Sequence, residues 1–272
     1  MRFALIDNNR VEAQPQLQGL CPICSQPVIA KCGTRKIWHW AHRRINSCDS
    51  WWESETEWHR RWKNNYPVEW QEVTLFNEQK NEKHIADIRT DHNLVIEFQH
   101  SPIKYEERIS RERFYKNMLW VVDGTRLKND YLRFCKGKDS LFFKKTKNNN
   151  VFIAEFPDEI FPANWLKSPV PVIFDFLGLS TDTADEIKNT LWCLVPKQAG
   201  KTYVVSIKRE AFISTTLNFP ALFQSKPRPK KPKQQMILLL KNRNNQRRGP
   251  LIDYVEKQHF SRQLKPIRKK RK

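Results

Sequence analysis

Three residues pose the chemical question. Asp87, Glu97 and Gln99 stand in the spacing D-x9-E-x-Q inside the apolar run from His84 to Pro102. Glu97 and Gln99 are two apart, so on a strand they face the same side. Asp87, on a preceding strand, can meet them across the pair. A carboxylate in a buried strand is costly unless something partners it. Two carboxylates converging at a wet sheet edge suit a hard divalent ion, Mg²⁺ or Mn²⁺, and phosphodiester hydrolysis commonly uses such an ion. Acids that are merely solvated at a hairpin edge are the plain alternative.

A second group has different chemistry. Cys21-Pro-Ile-Cys24 is a C-x2-C turn, the usual first half of a tetrahedral Zn²⁺ site. Cys32, His39, His42 and Cys48 follow, with His39-Trp-Ala-His42 reading H-x2-H. Cys21 and Cys24 form the firm pair. His42 and Cys48 are favoured to complete it, with His39 as the alternative and Cys32 as a small buried hydrophobe. A redox C-x2-C would sit near a βαβ pattern, and none is visible there. In so short a segment the metal would supply much of the folding energy.

These residues need elements to hold them. Residues 84–102 read as two strands around a turn at Asp91-His92-Asn93, rich in Ile, Val, Leu and Phe. Glu53 to Asn64 reads as a helix capped by Ser54 or Thr56, with acids in its first turn and bases in its last. Trp58 and Trp62, four apart, form its buried stripe. Glu57 on this helix is either a plain exposed residue or a third metal carboxylate. Strands are expected at Val68–Phe76 and Met118–Asp123, with a helix over Lys104–Asn117. The resulting order is αβββαβ.

That order with D…E-x-Q resembles the PD-(D/E)XK nuclease superfamily. More closely, the chain resembles the competence protein CoiA-like nuclease family. The resemblance rests on CPIC, HWAH, CDSWWESETEWHRRWK, HIADI, VIEFQHSPI and RERFYKNMLWVVDG, which span residues 21–124. It implies a restriction-endonuclease-like fold in the α/β class, preceded by a zinc-binding element. It also implies processing of incoming or foreign DNA, in competence and recombination or in antiphage defence. By position, Asp87 and Glu97 match the metal carboxylates and Glu57 the helix-one glutamate. His59, Lys63 and His84 belong to the same motifs. Gln99 stands where the superfamily has lysine. A neutral amide can orient water but brings no charge, so the cation must come from the metal or from Lys63, His84, Lys104 or Arg108.

The expected organisation is 1–52, hairpin and zinc-binding element; 53–125, nuclease core; 126–150, polar linker; 151–225, small β-rich extension; and 226–272, flexible basic tail. The formal charge is +20. Residues 226–272 hold 17 Lys or Arg against two acids, so the tail supplies most of the field. A polycation on a folded body favours nucleic acid. Expected contacts are Arg43 and Arg44, then Lys104, Arg108 and Arg111, then Lys269, Lys270 and Arg271 in the terminal tract. DNA, single- or double-stranded, is the expected partner, with recombination or defence proteins besides. No run approaches the ~18 apolar residues of a membrane span. With no secretory h-region at the start, the expected place is the cytoplasm, and the six cysteines are thiols or metal ligands. The alternative is a zinc-braced DNA-binding protein, weak or inactive as an enzyme, that recruits such partners; an RNA-processing enzyme is a third reading.

Overall fold

The computed structural model describes residues 1–43, 48–140, 142–181 and 184–218. Arg44 and the basic tract with Lys269, Lys270 and Arg271 lie outside the described residues, as does the whole of 226–272.

The chain opens on a five-stranded antiparallel sheet. Strands β1 (Phe3–Ile6) and β2 (Asn9–Glu12) form a hairpin. Its turn residues Asp7 and Asn8 both sit at positive φ, at 49° and 64°, the conformation of a tight hairpin turn that Asp and Asn tolerate. Strands β3 (Gln18–Leu20), β4 (Pro27–Lys31) and β5 (His39–His42) complete the order β2-β1-β3-β4-β5. Ala4, Val28 and the fully buried Trp40 fill its small core.

Helix α1 (Glu57–Lys63) comes next. It begins four residues later than the sequence suggests, because Thr56 caps it and exchanges bonds with His59 in a capping box. Residues 53–55 are therefore outside the helix. Strands β6 (Gln71–Asn77), β7 (Glu82–Arg89) and β8 (Val95–Gln99) follow as an antiparallel meander. Asn93, at φ 62°, makes the turn between β7 and β8. Helix α2 (Tyr105–Tyr115) crosses over to β9 (Met118–Asp123), which runs parallel to β8. From α1 to β9 the order is one helix, three strands, one helix and one strand.

Two expectations beyond β9 are corrected. The polar segment 126–150 is not a linker. It holds helix α3 (Lys128–Asp139), anchored by the fully buried Phe134, and strand β10 (Phe143–Lys145). The described part of the expected small β-rich extension, residues 151–218, does not form an extension of its own. Strands β11 (Val151–Ala154), β12 (Val172–Asp175), β13 (Thr190–Gln198) and β14 (Lys201–Lys208) continue the same sheet. Its nine strands run β10-β11-β14-β13-β12-β9-β8-β7-β6, with β12 parallel to β9. Short helices α4 (Pro157–Ile160) and α5 (Glu186–Asn189) lie in the connections, and α6 (Arg209–Asn218) follows β14.

The central strand β9 shows how the sheet is buried on both faces. Trp120 and Val122 join one core with Tyr115 and Phe134, while Leu119 and Val121 join the other with Trp58, Trp62 and Phe212. Alternate residues of one strand thus feed two layers, which makes its sequence uniformly apolar. Each large side chain so buried contributes ~1.5–3 kcal/mol relative to exposure. Asp175, fully buried at the end of β12, accepts hydrogen bonds from Trp58 Nε1 at 3.0 Å and Trp62 Nε1 at 2.9 Å. The late strands thereby hold the helix that carries His59 and Lys63.

Candidate active site and metal centre

The cysteine–histidine cluster is built from a turn, a strand end and the start of a loop. Cys21 N donates to Gln26 O and Ser25 N to Cys21 O, closing the C-x2-C turn, with Ser25 at φ 57°. His42 reaches it from β5, and Cys48 from just beyond. The ligand atoms of Cys21, Cys24, His42 and Cys48 all lie within 4.8 Å of one another. Cys21 Sγ is 3.5 Å from Cys48 Sγ, and Cys24 Sγ is 3.3 Å from His42 Nε2. Burial pushes the Cys21 and Cys48 thiols up, and at Cys48 the neighbouring thiols add to it. A cation among them would reverse that preference. Three sulfurs and one imidazole are a donor set that can bind zinc. His39 does not join the set; its Nδ1 lies 2.8 Å from Ile37 O. Cys32 packs half-buried against the N-terminal core.

The acid centre lies where β7 and β8 part. Their ladder pairs Arg89 with Val95 and Ile88 with Ile96. At the next step, carboxylates take over from carbonyls. Asp87 N donates to Glu97 Oε1 at 3.1 Å, and Phe98 N donates to Asp87 Oδ2 at 2.9 Å. The two acids thus face each other across the pair. Glu97 is buried, and burial pushes its carboxyl up to about 8; the Asp87 charge adds to this, and Arg111 opposes it. Arg111 Nη1 donates to Glu97 Oε2 at 3.0 Å.

Lysine enters this centre from α1. Lys63 Nζ is 2.9 Å from Asp87 Oδ1, 3.1 Å from Glu72 Oε1 and 3.7 Å from Glu55 Oε1. Burial works against its charge, but the carboxylates of Asp87, Glu72 and Glu55 outweigh it and hold the ammonium well above the ordinary lysine range. Glu72 sits at φ 47°, between the pairs Gln71–Ile88 and Val73–Ala86 of β6 and β7. Its oxygens also accept Arg2 N at 2.9 and 2.8 Å, so the first strand of the N-terminal sheet docks on it. Burial would raise the Glu72 carboxyl, yet Lys63 and the amide donors bring it down to about 2.

Gln99 is buried and donates from Nε2 to Glu53 Oε2 at 2.8 Å and to Ser101 O at 2.9 Å. Its Oε1 is buried with no hydrogen-bond partner among the described residues. His59, with its proton affinity lowered by burial against nearby carboxylates, lies 3.1 Å from Phe98 O through Nε2. A cavity of about 240 Å³ joins the two groups: His42 and Cys48 line it on one side, and His59, Lys63, Asp87 and Glu97 on the other.

Several expected site residues are placed elsewhere. Glu57 is exposed in the first turn of α1 and does not line this cavity; the buried face of the helix is that of Trp58, His59, Trp62 and Lys63. His84 is turned away. Its Nδ1 lies 2.8 Å from Asp49 Oδ1, and its ring stacks on Trp51 with centroids 3.2 Å apart. Arg108 cannot touch a nucleic acid in this fold, being fully buried and paired with Glu112. Arg111, also buried, holds Glu97 and Glu107 instead. Lys104 and Arg43 are exposed. Sequence reasoning missed Glu53, Glu55 and Glu72. The first two had a signal, in that residues 49–55 place acids and Trp51 at every second position. Glu72 had none.

Residues 61–171 match the model of a nuclease-like domain, so this mixed α/β chain carries a nuclease-like unit with a Cys₃His group beside it. That model is described as Competence protein CoiA, nuclease-like domain, and residues 7–50 match Competence protein CoiA, N-terminal domain. The chain belongs to the CoiA-like competence protein family. No curated protein and no solved structure matches it.

Proposed function

We propose that this protein is a divalent-metal-dependent nuclease that hydrolyses phosphodiester bonds of DNA, with a PD-(D/E)XK-type centre whose lysine comes from α1. The observation that carries the reading is the Asp87–Glu97 pair with Lys63 Nζ 2.9 Å from Asp87. Asp87 and Glu97 would hold Mg²⁺ or Mn²⁺, and the site fits a cation: burial and the neighbouring Asp87 charge push Glu97 up to about 8, and the Gln99 carbonyl oxygen has no partner among the described residues. The ion supplies Lewis acidity and a more acidic bound water. Arg111 keeps Glu97 oriented. Lys63, held as an ammonium, contributes the fixed positive charge that Gln99 cannot. It is a charge and not a base, because its carboxylate neighbours disfavour loss of its proton. Cys21, Cys24, His42 and Cys48 would hold structural Zn²⁺.

Lys104 and Arg43 are the exposed cations proposed to contact phosphates. The tail cations Lys269, Lys270 and Arg271 would tether the polyanion. Processing of incoming DNA is the role that the family's competence description suggests. No helix among the described residues is long and apolar enough to cross a membrane.

The test is incubation of the full chain with circular and linear, single- and double-stranded DNA, in Mg²⁺, Mn²⁺ or EDTA. Cleavage that needs the ion and is lost in Asp87→Ala and Lys63→Gln is expected. Binding without cleavage under every condition would overturn the hydrolytic reading in favour of a zinc-braced DNA-binding protein.

A further inference from the structure

Neither family match covers residues 51–60, and the stretch leading into α1 is where the two candidate metal groups meet. From Cys48 the chain makes a turn, closed by Trp52 N donating to Asp49 O at 3.3 Å, and then runs without regular structure to Thr56; burial alternates along it. Asp49, Trp51, Glu53 and Glu55 turn inward, whereas Ser50, Trp52 and Ser54 are exposed. One set of side chains thus faces the body of the protein and the other faces solvent. Each inward residue grips the acid centre or the strands beneath it. Asp49 Oδ2 accepts Ile85 N at 3.0 Å. Trp51 O accepts Arg111 Nη2 at 2.6 Å, on the guanidinium that holds Glu97. Glu53 Oε1 accepts Ser101 N at 2.6 Å while its Oε2 takes the Gln99 amide. Glu55 sits beside Lys63.

Glu53 also decides which way Gln99 faces. An ionised carboxylate only accepts, so the amide must present its NH₂ to it. Both Nε2 protons are then used, on Glu53 and Ser101, and the carbonyl oxygen is left without a partner among the described residues. The orientation follows from the chemistry of the neighbours.

We propose that residues 48–56 form a strap, moored at the cysteine–histidine cluster through Cys48, that couples cluster occupancy to the geometry of the acid centre, with Glu53 as the positioning residue for Gln99. Its catalytic consequence rests on the hydrolytic reading above; the strap itself does not. Zinc at the cluster fixes Cys48 and hence the register of Asp49 through Glu55. Loss of zinc frees one end of the strap and, with it, the hold on Arg111, Gln99 and Lys63. By reciprocity, an ion at the acid centre would raise zinc affinity.

The test uses the full chain, zinc-loaded and zinc-stripped, with two readouts. The first is amide hydrogen exchange at Ile85 and Ser101, the donors to Asp49 and Glu53. The second is Mn²⁺ affinity of the acid centre. Stripping zinc is expected to speed exchange at both amides by roughly tenfold or more, the scale of a lost hydrogen bond to a charged group, and to weaken Mn²⁺. Re-adding Zn²⁺ restores both. Glu53→Gln in zinc-loaded protein should speed exchange at Ser101 and weaken Mn²⁺ while Ile85 stays protected, a pattern that general destabilisation would not give. Cys48→Ser should mimic stripping; if it does not fold, the stripped and reloaded wild type decides. Unchanged exchange at both amides, with the cluster empty or unable to take Zn²⁺, overturns the strap. A wild-type chain that binds no Mn²⁺ overturns the hydrolytic reading, and the exchange comparison still decides the strap.

Discussion

The two candidate metal groups face one cavity and are assembled in opposite ways. The cysteine–histidine cluster draws its four donors from residues 21–48, and two come from one tight turn. Its donors would bind the same kind of ion almost wherever the fold placed them. The acid centre has only Asp87 and Glu97 from a local hairpin. Lys63 comes from a helix, Glu72 from an edge strand, Arg111 from a second helix and Glu53 from the strap. Soft-ligand sites are specified by donor type and spacing. A hard-ion site depends on a balance of buried charges, and the balance is a property of the whole fold.

The largest effect should separate the two groups most cleanly. Asp87→Ala should reduce cleavage by more than the roughly 10–100-fold typical of outer-shell losses, while zinc content, measured without added Mg²⁺ or Mn²⁺, stays at the wild-type level by metal analysis. If zinc fell with cleavage, the two groups would not be separable. Next, Cys24→Ser should abolish zinc retention and lower the melting temperature of the chain, because binding free energy at such sites is folding free energy. A variant that melts like the wild type would show that the N-terminal sheet stands without its metal.

A smaller effect concerns pH. Glu72 is brought from 4.5 down to about 2 in the folded chain. Its ionised form therefore stabilises the fold above pH ~4.5, and that contribution, on the order of 3 kcal/mol, is lost as pH falls towards 2. Denaturant unfolding across this window should show a steeper decline for wild type than for Glu72→Gln. Equal slopes would mean that Glu72 does not clamp Lys63 and the N-terminal strand as the geometry indicates. The smallest effect is a negative one. Glu57→Ala should change stability by no more than about 0.5 kcal/mol, as for an isolated surface residue, and leave cleavage near the wild-type rate in a steady-state assay. Loss of cleavage there would restore Glu57 to the centre in place of Glu53.

How legible each part was follows from the range of the contacts. Cys21 and Cys24 could be picked out because their spacing is itself the geometry of the turn; His42 and Cys48 are read from donor type, with His39 an alternative until the fold brings His42 to the cluster. The hairpin of residues 84–99 was legible because its apolar bias and the Asp91-His92-Asn93 turn are local. The start of α1 is not fixed by the sequence because acids before a cap read the same whether they lie in the first helical turn or in the non-helical strap; Thr56 and Ser54 are both candidates for the cap. Segment 126–150 reads as a linker because Lys and Asn dominate it, yet the buried Phe134 and Gly137, with Tyr131 packed beside them, dock α3 on the core. The β-rich region after 151 was seen as strands but not as part of the central sheet, since strand pairing is not written in either strand alone.

The order of residues by itself determined the kinds of donor, the turn that gathers the thiols, the strand pair that carries Asp87 and Glu97, and the family. Only the tertiary structure decided which acid meets Gln99, that Lys63 sits beside Asp87, and that Arg108 is spent inside the fold. The reason is physical: donor identity and backbone preference act over a few residues, whereas the charge state and aim of a buried side chain depend on groups tens of residues away, brought close only when the sheet closes its core.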